Sequence, residues 1–167
     1  MMERFRWTAA VVAAHKGGQV VGRTRLQKTI KLLQRLGLPT DYAYRNHFYG
    51  PYSPELQSDI GLLDDMGLLH EEAVPSPASE TGVYYVIKAK EGAQLKELEP
   101  FLLPLRKLEE ADPVVLELAA TYDAFHEMGA DHDEALSRLR RKKGAKCEQG
   151  REGKALGLLR EIGLPAG

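Results

Sequence analysis

Cysteine is all but missing from this chain. Cys147 stands alone among 167 residues, so no internal disulfide can form, and a single thiol with no secretory leader points to the reducing cytoplasm. Long apolar runs are missing too: a membrane-spanning helix needs roughly 18 such residues or more. The nearest approach is Trp7 to Ala14 behind Arg4 and Arg6. It is short, rich in alanine and leads into His15-Lys16-Gly17-Gly18 without a cleavage pattern, so it reads as a buried helix and not a leader. There is no glycine-rich phosphate loop, no Gly-x-Ser-x-Gly elbow, no Cys/His spacing of a zinc site and no defensible carboxylate pair. These absences leave no catalytic constellation, metal site or cofactor to expect.

An excess of one charge is lacking as well, since the net charge is −1. That near-neutrality hides a strong polarity along the chain. Residues 1–50 carry nine Lys/Arg against two Asp/Glu, residues 51–134 five against nineteen, and residues 135–167 nine against three. A basic–acidic–basic order has two readings: an electrostatic binding face, or two basic ends that fold against an acidic middle.

The apolar fraction of 43% is that of an ordinary globular chain, and its length suffices for a core without disulfide or metal staples. The first helix is expected from Glu3 to Lys16, ended by Gly17-Gly18. The second has Thr24 and Gln27 spaced as a capping box, an apolar face of Leu26, Ile30, Leu33 and Leu36, and Gly37 as its stop. Tyr42 and Tyr44 alternate as in a short strand. Ser53 caps a third helix with Pro54 at its first position, its buried stripe being Leu56, Ile60, Leu63 and Met66. Leu68–Val74 and Val83–Lys88 then read as a long-looped hairpin. Three helices followed by a hairpin is the order of a winged helix, expected here over residues 1–90. Residues 91–167 read as a helical subdomain, broken at Pro100 and Pro104, with helices opened by Asp112-Pro113 and by the Asp131/Glu134 capping box. The fold class is therefore mainly α with a small β-hairpin (α+β).

Two segments carry a family resemblance. Gly22-Arg-Thr-Arg-Leu-Gln-Lys28, His47-Phe-Tyr-Gly-Pro-Tyr-Ser53 and Asp65-Met-Gly-Leu-Leu69 resemble the YwgA-like group of small prokaryotic proteins. They are more distantly similar to SocA/Panacea-type antitoxin domains, which join a Leu-Gln-Lys helix to a Tyr-Gly-Pro turn. Leu116-Glu-Leu-Ala-Ala-Thr-Tyr122 and Ala155-Leu-Gly-Leu-Leu159 resemble the C-terminal helices of the same group. The resemblance implies a winged-helix-like fold and, from the more distant relatives, a toxin-neutralising or adaptor role.

Several residue sets are candidates for binding. Arg25, Lys28, Lys31 and Arg35 form a basic stripe on the second helix, suited to phosphates, to solvent, or to ion pairs with the acidic middle. Arg138, Arg140, Arg141, Lys142, Lys143 and Lys146 crowd the end of a later helix. They serve phosphates, an acidic partner or the helix dipole. The third helix, the base reader of a usual winged helix, instead carries Glu55, Asp59, Asp64 and Asp65 and no cation, which repels DNA and suits a basic protein surface. Tyr42, Tyr44, Phe48, Tyr49 and Tyr52 read as a packed corner, a protein contact or a base-stacking platform. His126, Asp131, His132 and Asp133 lack metal spacing, and Cys147 sits in a basic loop that lowers a thiol pKa. The first expectation is thus a non-enzymatic protein that engages a partner protein, a toxin or regulated factor, through Tyr49, Tyr52, Glu55 and Asp59. The second is a DNA-binding regulator using Arg25, Lys28, Lys31, Arg35, Arg140, Arg141, Lys142 and Lys143. A homodimer is compatible with either.

Overall fold

A computed structural model describes residues 2–167. The elements in chain order are α1 (Arg4–Ala14), β1 (Gln19–Val21), α2 (Arg23–Arg35), β2 (Arg45–His47), β3 (Gly50–Tyr52), α3 (Pro54–Asp65), β4 (Leu69–Pro75), β5 (Val83–Ala89), α4 (Leu102–Glu110), α5 (Pro113–Glu127), α6 (His132–Lys143) and α7 (Arg151–Ile162). The chain is mainly helical with small antiparallel sheets, as the α+β expectation has it. No helix among the described residues is long and apolar enough to cross a membrane.

Two sheets form. One orders its strands β1-β5-β4, with Val20 opposite Ile87 and Glu71 opposite Ile87 on the other side. The other is the short hairpin β2–β3, with His47 opposite Gly50. Ser53 caps α3 by accepting the Leu56 amide, Asp112 caps α5 by accepting the amides of Val114 and Val115, and Asp131 caps α6 by accepting that of Glu134. Each satisfies an amide that the first helical turn leaves without a partner.

Several local expectations are corrected. The strand β1 follows Gly17-Gly18 directly and was not read from the sequence, because three residues are too few for a period. Thr24 and Gln27 form no capping box. Helix α2 starts at Arg23 behind Gly22, and the Gln27 amide group is engaged elsewhere: it donates to Ser53 O (2.9 Å) and accepts the Ser53 amide (2.8 Å). No strand forms at Tyr42 and Tyr44. The Gln34 side chain takes both the Tyr42 amide and its carbonyl, leaving no backbone group there for a ladder. Met66 is half exposed at the end of α3 and Leu36 only partly buried.

The core is one continuous cluster. It runs from Val11 and Val12 of α1 through Leu26, Ile30 and Leu33 of α2 to Leu118, Tyr122 and Leu159 of α5 and α7. Helix α2 is its axis, with eight consecutive buried residues from Leu26 to Leu33. A helix covered on all sides must bury whatever lies on its polar face, and on α2 that face carries lysine.

Candidate functional site

The basic stripe of α2 is not a surface. Lys28 and Lys31 are each 3% exposed, because α5 packs on the side that the sequence leaves to solvent. Lys31 Nζ donates to Glu127 (2.8 Å) and lies 3.4 Å from Asp123, whose other cation is Arg35 at 3.0 Å. Arg25 spends its guanidinium on the carbonyls of Leu108 and Ala111. The reading of an exposed phosphate-binding stripe is thereby corrected: Lys31 and Arg35 meet carboxylates of the acidic middle internally, and Arg25 and Lys28 are taken up by backbone carbonyls. The physical reason is the cost of a buried charge, which is tolerable only when paired and hydrogen-bonded.

The C-terminal basic cluster is divided by the same rule. Arg140 forms a two-bond pair with Glu152 (2.6 and 2.9 Å), and Arg138 pairs with Glu134. Lys143 is buried. Its ammonium lies 2.9 Å from Glu117 Oε2 and donates to Phe48 O at 2.9 Å. Lys146 completes the group from the other side of Glu117 (2.9 Å). Arg141 and Lys142 are exposed and have no carboxylate partner among the described residues.

These buried lysines converge on the β2–β3 hairpin. Lys143 holds it at Phe48 O. Lys28 donates to Pro51 O (3.0 Å), and Gln27 clamps Ser53 just beyond. Burial pushes the Lys28 amine down to about 8, with the Glu117 charge opposing the shift and Lys143 and Lys142 adding to it. Gly50 occupies the tightest point of the turn at φ +100°. A Cβ there would come within 3.0 Å of Thr121 Oγ1 and 3.2 Å of Lys28 Cε, so the close approach of hairpin to α2 and α5 requires glycine.

A hairpin tied down from behind presents its tip outward. Phe48 is 86% exposed and Tyr49 42%. The His47 ring lies edge-on to Phe48 with centroids 5.7 Å apart, and tilted to Tyr49 at 6.4 Å and to Tyr52 at 5.4 Å. Lys146 Nζ sits 5.3 Å from the Tyr49 ring centre, a cation–π contact. Tyr49 also borders two hollows that meet along it and Thr24. One runs toward Tyr84 and the β4–β5 loop, with a volume of about 540 Å³. The other, of about 390 Å³, lies between α2 and the start of α5. Val21 and Tyr84 add exposed apolar surface along this line.

The acids of α3 contribute less than their sequence positions suggest. Asp59 accepts from Arg4 Nε (2.9 Å) and from Tyr42 OH (2.6 Å), so it ties α1 and the Tyr42 loop to α3. Asp64 accepts the Glu71 amide. Glu55 is half-buried, bonded to Ser53 Oγ at 3.2 Å, and Asp65 is exposed. Of Tyr49, Tyr52, Glu55 and Asp59, then, Tyr49 alone faces solvent broadly, Tyr52 and Glu55 are half-covered, and Asp59 is committed internally. Phe48, the most exposed aromatic, is the member that sequence pattern undervalues. Its signal is the pair of adjacent rings, Phe48-Tyr49, that precedes the Gly50-Pro51 turn.

The remaining candidates have structural partners. His126 bonds Ala130 O, His132 bonds Tyr122 OH, and Asp131 is a cap. The Cys147 thiol is pushed up by burial, with Glu152 reinforcing the shift, which corrects the expectation of a lowered one. Of the nearby cations, Arg140 is paired with Glu152 and Lys143 with Glu117.

No family model matches the chain. The chain is similar to the uncharacterised protein YwgA of Bacillus subtilis (strain 168), at 44% identity over 54 residues. The match covers 32% of this chain and 32% of that protein, so the chain spans about a third of the relative it matches. This supports the YwgA-like resemblance and adds nothing to the SocA/Panacea one.

Proposed function

We propose that this is a non-enzymatic winged-helix interaction protein of adaptor or regulatory type, which engages a partner protein through the β2–β3 hairpin tip. The winged-helix part of the reading is supported by the order α1-β1-α2-α3-β4-β5, interrupted between α2 and α3 by the β2–β3 hairpin, with the three-stranded sheet β1-β5-β4. The observation that carries the contact is Phe48, an aromatic ring 86% exposed on a turn whose backbone is held by two buried lysines. Leaving a large ring in water is unfavourable by itself, and fixing it there lowers the entropy lost when a partner covers it. Tyr49, Tyr84 and Val21 extend the patch into the aromatic and apolar centre that protein interfaces favour. The partner, a toxin or a regulated factor, would meet half-covered Tyr52 and Glu55 at the rim.

The competing DNA reading keeps little cationic surface. Of its residues, Arg25, Lys28, Lys31, Arg35, Arg140 and Lys143 are committed to internal acceptors, which leaves Arg141 and Lys142. Phosphate contacts need uncommitted cations to release counterions.

A photo-crosslinking phenylalanine analogue at position 48 tests this in the native cell, with position 103 as control, since Leu103 is also well exposed but on α4. The expected result is one adduct protein, identified by mass spectrometry, at position 48 and not at 103. An adduct with the chain itself assigns the tip to a homodimer. No position-specific adduct, together with salt-sensitive duplex binding lost in the Arg141→Ala/Lys142→Ala variant, replaces the reading with DNA binding.

A further inference from the structure

The 390 Å³ hollow beside the hairpin has an imbalance of charge in an otherwise apolar wall. Val21, Pro113, Val114 and Leu116 supply the apolar surface, and Lys28, Glu117 and Lys146 the polar groups, with Thr24 and Arg25 at the border, the Arg25 guanidinium being bonded to the carbonyls of Leu108 and Ala111. Three ammonium groups, those of Lys28, Lys143 and Lys146, surround one carboxylate. Glu117 is already shared between Lys143 and Lys146. Lys28 is nearly buried, yet its one acceptor among the described residues is Pro51 O. An ammonium has three donors, so Lys28 keeps N–H groups beyond the one given to Pro51 O at the edge of this hollow. Even with its basicity lowered by burial to about 8, this amine is mostly charged at neutral pH.

We propose that this hollow binds a small organic carboxylate with a compact apolar body. The carboxylate accepts the spare N–H groups of Lys28 and Lys146, and the apolar body lies against Val21, Pro113 and Val114. A hydrated inorganic anion would leave the apolar wall uncovered, and a neutral molecule of the same shape would leave the charge imbalance in place. The volume lies at the small end of the range for ligand pockets, roughly 300–1,000 Å³, which suits a short-chain or single-ring acid. Charge-assisted bonds to carboxylate are among the stronger ones available to a lysine. The site adjoins the proposed partner contact, with Val21 and Tyr49 at their common edge, and needs no partner to fill.

Titration of the full chain with benzoate, followed by amide chemical shifts, tests the site. Benzamide is the neutral control and inorganic phosphate the control without an apolar body. The expected result is saturable shifts at Val21, Thr24, Tyr49 and Val114, with benzoate binding at least about tenfold more tightly than either control, or ~1.4 kcal/mol. Lys28→Met should weaken benzoate by a similar factor. Val114→Trp, which fills the rim without changing a charge, should abolish the shifts and so serves if Lys28→Met fails to fold. Absence of saturable shifts, an equal response to benzamide or phosphate, or wild-type binding in folded Val114→Trp overturns the proposal. Because the titration involves no partner, its failure leaves the hairpin contact standing.

Discussion

Glu117→Gln removes one charge and almost no volume from the support of the hairpin. Glu117 faces two ammoniums that differ in burial: the Lys143 side chain is 2% exposed and that of Lys146 40%. The half shared with Lys146 is screened by solvent and is worth about 0–1 kcal/mol. The half shared with Lys143 is a buried pair, and breaking such a pair by removing one partner costs about 3–5 kcal/mol. Phe48 O remains as an acceptor for Lys143, and the glutamine oxygen remains beside it, so the lower end of that range applies, about 3 kcal/mol. For a chain of this length each kcal/mol shifts Tm by about 2–4 °C, which gives a fall of roughly 6–12 °C. The loss should also be local. Lys143 and Lys28 hold the hairpin at Phe48 and Pro51, so the amides of His47–Gly50 and Tyr52 should exchange faster than in the unsubstituted protein, by a larger factor than those of α7. Urea unfolding and amide hydrogen exchange read the two effects. A loss below about 1 kcal/mol, with hairpin exchange unchanged, would refute the claim that buried lysines fix this turn.

Asp123→Ala leaves Lys31 and Arg35 with only the half-exposed Glu127, and a cost at the low end of the buried-pair range, about 3 kcal/mol, is expected in urea unfolding, with Asp123→Asn milder because its amide oxygen still accepts. Gly50→Ala places a methyl group against Thr121 Oγ1 and forces a left-handed conformation. Unfolding measurements should show a loss of about 1–3 kcal/mol or more, and a loss of a few tenths would show that the hairpin stands off from α5. Lys28 sets a pH dependence. Its amine falls from 10.5 in the unfolded chain to about 8 in the folded one, so between those values the unfolded chain holds a proton that the folded chain has released. Stability from this group therefore rises with pH across that window and carries its full penalty below it. Measured against Lys28→Met, the protein should gain stability from pH 8 to 10.5, and a flat difference would contradict the burial argument.

Secondary structure was legible where a local signal decided it. Ser53-Pro54, Asp112-Pro113 and Asp131 each open a helix as their chemistry dictates, because capping involves only residues a turn apart. The β4–β5 pair was legible for the same reason. What the sequence conceals is which polar faces are covered. Lys28 and Lys31 occupy positions that a helical pattern assigns to solvent, and only α5, more than eighty residues later, makes them interior. Gln27 shows the same limit at smaller range. Its spacing from Thr24 fits a capping box, but Ser53 offers it both a donor and an acceptor. The site was half legible: the aromatic turn was visible, while its tethers, Glu117 and Lys143, appeared as a generic helix residue and one cation in a run. No pairing rule links positions so far apart without a fold.

The alternation of basic, acidic and basic segments acquires a physical meaning from these pairs. Arg4 meets Asp59, Arg23 meets Glu71, and Lys31 and Arg35 meet Asp123, so the basic N-terminal segment is neutralised by the acidic middle. Lys143 and Lys146 close on Glu117 from the C-terminal side. A chain that spends its cations this way lowers its affinity for polyanions and makes its interior dependent on all three segments at once. The same pairing explains why the apolar tip is where binding should be sought. With most opposite charges paired inside, what the hairpin tip itself presents to solvent is hydrocarbon, Phe48 above all, held from behind by lysines whose usual place is the surface.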